Sequence, residues 1–106
     1  MNQFDVFSNP LAQLRSGYPF VVVLQSGLIE YEHGRVCAPL APGSARVSSG
    51  AAGKLIPRVS FEGSDFVLMI PEMAAINPRD LQRSRGSLAA HRQQILAAVD
   101  YLFLGF

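Results

Sequence analysis

Apolar and polar positions along this chain keep a short period for two thirds of its length and then change to a helical one. Gln3 to Phe7 alternates, with Phe4 separated from Val6 by Asp5, as a half-buried strand does. Asn9-Pro10 marks a loop. Phe20 to Leu24 is an unbroken run of β-branched, aromatic and aliphatic residues, the pattern of a buried central strand. Leu28 to Tyr31 extends or follows that strand after a Ser26-Gly27 break, and Val36 to Leu40 forms another short apolar segment, closed by Pro39 and Pro42. Gly43 to Gly53, rich in Gly, Ser and Ala, reads as a flexible loop. Lys54 to Phe61 and Asp65 to Ile70 read as two further strands around Glu62-Gly63-Ser64, a spacing that fits a hairpin with a short Gly-containing turn. Five or more short strands joined by turns predict an antiparallel sheet or small barrel.

Over the last twenty residues Leu88, Ile95, Val99, Leu102 and Phe106 recur at intervals of three, four or seven, which puts them on one helical face. Leu96 and Phe103 widen that face, and Ala89, Ala90, Ala97 and Ala98 are good helix formers. Ser87, after Gly86, is the expected N-cap. Gly105 is placed to end the helix in a left-handed cap. The expected class is α+β, with a C-terminal helix.

Composition narrows this further. The 106 residues form one domain, 1–106. With 49% hydrophobic and 16% charged residues, the chain is not disordered by composition. So few charges leave apolar surface that self-association would cover. A net charge of +1 lacks the large Lys and Arg excess of a dedicated nucleic-acid binder. Arg79, Arg83, Arg85 and Arg92 lie close in sequence, either as a patch for an acidic partner or as a solvated loop and helix face. The lone Cys37 allows no internal disulfide, so a cytoplasmic, reducing setting is expected. Neither a secretion leader nor a membrane span is indicated.

Candidate chemistry is sparse. His33, among Glu30, Glu32 and Arg35, reads as a polar turn before Gly34 sooner than as a metal site. His91 falls on the helix stripe, where packing is expected. Cys37 lies between Val36 and Ala38, where a thiol behaves as a small hydrophobe. Gly50-Ala51-Ala52-Gly53-Lys54 fails as a phosphate loop, because Ser48 and Leu55 stand where Gly and Ser or Thr are needed. The expectation is no catalytic residue, no cofactor and no metal.

The C-terminal end asks for an explanation. Asp100-Tyr101-Leu102-Phe103-Leu104-Gly105-Phe106 stays apolar to its last residue, whereas chain termini are usually frayed. Consecutive helical residues are about 100° apart, so Leu102, Phe103, Leu104 and Phe106 cannot share one buried stripe. Some must point outward, either as anchors for a partner's pocket or into a homodimer contact.

At these residues the chain resembles the CcdB family, toxins of bacterial toxin–antitoxin modules. The resemblance runs nearly end to end, through Gln3-Phe4, Tyr18-Pro19-Phe20, Gln25-Ser26 with Leu28-Ile29, and Arg35-Val36 with Pro39-Leu40. It continues through Pro57-Arg58-Val59, Phe66-Val67-Leu68-Met69, Glu72-Met73-Ala74 and Phe103-Leu104-Gly105-Phe106. It implies a homodimer of small SH3-like antiparallel barrels with a C-terminal helix, and a non-enzymatic poison of DNA gyrase. Such toxins insert their helix ends between the paired gyrase A proteins and hold the enzyme covalently attached to cleaved DNA. The gyrase-binding residues implied are Phe103, Leu104, Gly105 and Phe106, with Asp100 one turn earlier and Leu28 and Ile29 from the strand region. The partners implied are DNA gyrase A and a CcdA-like antitoxin whose disordered segment wraps the toxin, with DNA met only indirectly. Leu104 stands where the best-known member has Trp, and Asp100 where it has Asn. Two alternatives stand beside this: an mRNA endoribonuclease resembling the MazF family, using Arg35 with His33 or Glu32, and a decayed, non-toxic member.

Overall fold

The computed structural model describes residues 1–44 and 51–106. Of the loop expected over Gly43 to Gly53, residues 45–50 lie outside the described residues. The chain runs β1 (Asp5–Ser8), β2 (Phe20–Val23), β3 (Arg35–Pro42), α1 (Ala51–Leu55), β4 (Arg58–Phe61), β5 (Ser64–Leu68), β6 (Ala74–Ile76), β7 (Gly86–Ser87) and α2 (Arg92–Leu104). The class is α+β, as the change of period predicts. One antiparallel sheet has the order β4-β5-β3-β2-β1-β7, with β6 also on β3. It curls into a half-barrel, and its two end strands come close. A Cβ on Gly86 of β7 would lie 2.9 Å from the Phe61 ring of β4, and Arg85 pairs with Glu62 at 3.4 Å.

The eight-residue β3 organises the sheet by serving three neighbours. One edge takes β2 from Cys37 to Leu40. The other takes β6 from Arg35 to Cys37 and then β5 from Leu40 to Pro42. Pro39 sits in the gap between those two partners, where its missing N–H breaks no ladder bond, and its carbonyl accepts from Met69 N at 2.9 Å. The strand therefore runs through the proline expected to close it.

β2 lies between β1 and β3 and is buried on both faces, which accounts for its unbroken apolar run. Val22 joins Val6, Leu40, Leu68, Ile70 and Ile95 in the core beneath α2. Val21 and Val23 face the other way, into a smaller cluster with Phe7, Cys37 and Leu81. Leu81 gives the 77–87 segment a structural role, as it seals the back of the sheet. Burial pushes the Cys37 thiol up to about 12, against an opposing pull from Arg35. Iodoacetamide at pH 8 is expected to label native Cys37 at least about a hundredfold slower than the unfolded chain; equal rates would contradict this. The folded thiol keeps its proton above pH 9.0, where a free thiol loses it. Stability is therefore expected to fall as the pH rises from 9.0 toward about 12.

Several local expectations hold. Glu62 and Gly63 join β4 to β5, and both have positive φ, 52° and 78°, as a two-residue hairpin turn of type I′ requires. Gly105 ends α2 in the left-handed region at φ 82°, and its N–H donates to Tyr101 O at 2.9 Å.

Others are corrected. Leu28 to Tyr31 is not a strand but part of the turn-rich connection between β2 and β3. Lys54 and Leu55 close α1, and the strand starts only at Arg58. Pro57 explains the switch, because it disfavours helical geometry at Ile56. Ile70 belongs to a 3-10 turn, Ile70–Glu72, with Pro71 in its first turn. Regular α-helix begins at Arg92 after a 3-10 turn, Ala89–His91, so Ser87 is not the N-cap: Leu88 precedes the turn and His91 the helix, while Ser87 Oγ accepts from Ala89 N at 3.0 Å.

Candidate functional site

The residues of α2 divide by direction. Ile95 and Ala98 are buried, and Leu96, Val99 and Leu102 pack partly against the same core. Ala98 rather than Phe103 supplies the second buried position, three residues from Ile95 on the same helical face. A second face ties the helix to β4: Gln94 Nε2 donates to Arg58 O at 2.9 Å, and His91 Nε2 accepts from Ser60 N at 3.4 Å. These side chains occupy outward backbone groups of an edge strand, so His91 has a packing role, though through a polar contact to β4 and not on the apolar stripe. Met73 and Leu88 complete the seat, with Leu88 N–H donating to Phe4 O at 2.9 Å.

Beyond Leu102 the anchoring ends. Phe103 is 68% exposed, Leu104 60% and Phe106 86%. The left-handed turn at Gly105 takes Phe106 off the helical stripe where the period alone would put it. The end of α2 and the residue after its cap thus carry three large apolar side chains into solvent. Asp100 is exposed one turn earlier, and the last turn carries no basic residue. With the negative end of the helix dipole, the tip is apolar and weakly anionic. Tyr101 lies half-buried on the side facing α1, with Lys54 Nζ 5.3 Å from its ring centre.

Leu28 and Ile29 form a separate patch. Leu28 is 95% exposed and Ile29 61%. Leu28 borders a shallow groove with Asn2, Gln3, Ala89 and Arg92, at the start of α2. That helix has 13 residues and is roughly 20 Å long, so the patch and the tip are not neighbours within one chain. The sequence shows that all these side chains are apolar, but their separation depends on the fold.

The other candidates do not converge. Arg35 donates to the carbonyls of Tyr31 and Gly34, which holds its own turn. His33 pairs with Glu32 at 3.2 Å, and both side chains are well exposed. Arg85 is engaged by Ser8 and Glu62, while Arg92 donates to Gln3 Oε1 at 3.1 Å and lies over the Phe4 ring. Arg79, Arg83, Arg85 and Arg92 are all exposed. No helix among the described residues is long and apolar enough to cross a membrane.

The family model described as CcdB protein matches residues 3–105, which takes in the sheet, α2 and most of the exposed tip. No curated protein matches the chain.

Proposed function

As the chain belongs to the CcdB family, we propose that it is the toxin of a toxin–antitoxin module and that it acts by binding gyrase A. The observation that carries this reading is the end of α2. Phe103, Leu104 and Phe106 stand exposed on a helix whose preceding turns are fixed to the sheet. Such a tip is pre-organised for a pocket, and little conformational freedom is lost when it docks. Gly105 turns the chain so that Phe106 extends the apolar tip. Asp100 sets the charge beside it.

The action is that of a wedge and not of an enzyme: the tip holds gyrase where it is covalently attached to cleaved DNA. A homodimer would present two tips, and it would also cover apolar surface left open on one chain. Leu28 and Ile29 form a second apolar contact, reached by a different part of the partner. A CcdA-like antitoxin, with a segment that folds on binding, would neutralise the toxin by covering these surfaces.

The test is direct binding to purified gyrase A from a matched host. Micromolar or tighter binding is expected, and Phe103→Ala with Phe106→Ala is expected to weaken it at least about a hundredfold. Binding that survives the double substitution unchanged would move the contact elsewhere.

A further inference from the structure

A groove of about 890 Å³ lies between the 53–58 segment and one side of α2. Ile56 and Pro57 line one wall, Ala97 and Ala98 the other, and Phe106 borders one end. This volume suits a small organic molecule, since such sites measure roughly 300–1,000 Å³.

Its charge is one-sided. Lys54 and Arg58 both line the groove, and no acidic side chain does so among the described residues. Neither cation is in an ion pair among those residues, and positions 45–50 contain no Asp or Glu. Lys54 is held over the Tyr101 ring. Arg58 uses Nη1 on Gly43 O at 3.0 Å, which steadies the guanidinium and leaves further donors. Two cations beside an apolar floor match an anionic head on an apolar body.

The walls disfavour an extended peptide. Arg58 O is taken by Gln94 and Ser60 N by His91, while Pro57 has no N–H. A peptide strand laid here would leave backbone groups without partners. A compact molecule with one polar group meets no such penalty.

We propose that this groove is a binding site for a small amphipathic organic anion, with a flat apolar body and a single carboxylate, sulfonate or phosphate. The apolar part rests on Ala97, Ala98 and Ile56, and the anion lies between Lys54 and Arg58. The site shares Gly105 and Phe106 with the exposed tip, but its floor and its cations lie outside the tip, and it needs no gyrase.

The test uses the full chain and 8-anilinonaphthalene-1-sulfonate as the probe, read by its fluorescence. One saturable site is expected. Lys54→Gln with Arg58→Gln should weaken binding at least about tenfold, as two charge-assisted contacts are lost. Ala97→Phe, at an exposed helix position, should put a ring where the apolar body rests and weaken binding at least about tenfold with both cations retained. Leu14→Ser, at an exposed apolar position outside the groove, should leave this binding unchanged. The proposal is overturned if either the charge-neutral double variant or Ala97→Phe binds as the unaltered chain does, or if Leu14→Ser removes the signal.

Discussion

A chain ending at Phe103 folds as the full chain does and no longer arrests growth of a host with matched gyrase. The removed residues, Leu104, Gly105 and Phe106, are all exposed and touch none of the core beneath α2. Their structural contribution is the last helical turn and the bond from Gly105 N to Tyr101 O, together about 1 kcal/mol or less. The core residues Ile95, Ala98 and Leu102 remain. Functionally the loss is large, because two of three anchors disappear, and buried anchors of this size contribute about 2 kcal/mol or more each. Gyrase A binding should weaken at least about a hundredfold while thermal unfolding stays within a few degrees. A truncated chain that still arrests growth would remove the tip from the account.

Ile95→Ala has the opposite profile. Ile95 is fully buried where α2 crosses the sheet, in one cluster with Val6, Val22, Leu40 and Leu68. Cutting it to Ala opens a cavity that these rigidly paired strands cannot collapse to fill, with an expected loss of about 3–4 kcal/mol. That is a large share of the roughly 5–15 kcal/mol that stabilises a domain. Urea unfolding should show the midpoint fall with little change in slope. Leu104→Ala, at an exposed position on the same helix, should shift stability by no more than about 0.5 kcal/mol. Comparable losses from the two substitutions would mean that the helix end is buried, as in a tightly associated dimer.

Together these substitutions separate what the helix does for the fold from what it offers a partner. That division was partly legible in the sequence. The period through Ile95, Val99 and Leu102 identifies the buried stripe, and consecutive large residues at 102–104 force some of them outward. Gly105 as a cap and Glu62-Gly63 as a turn were readable because each needs backbone angles that few residues adopt. The continuous run in β2 marked a strand covered on both faces.

What was not legible depended on contacts between distant segments. β6 and β7 are three and two residues long, too short for a period, and exist because β3 and β1 offer edges to them. Leu28 to Tyr31 has strand-like composition but finds no partner in the sheet. The segment from Lys54 divides into helix and strand at Pro57, where a run of apolar residues conceals the break. The roles of His91 and Gln94 as plugs on the β4 edge follow from the packing of α2 and leave no local pattern. That the Leu28 patch and the tip lie toward opposite ends of α2 is likewise a property of the fold.

The exposed end of α2 is proposed to trap gyrase on DNA. The most direct measurement incubates purified gyrase from a matched host with supercoiled DNA, ATP and this protein, then denatures the mixture and looks for linear DNA bound to gyrase A. Accumulation of that covalent complex with the full chain, and its absence with the chain ending at Phe103, is the predicted result. No linear DNA at high toxin concentration, or the same yield from the truncated chain, would contradict the account.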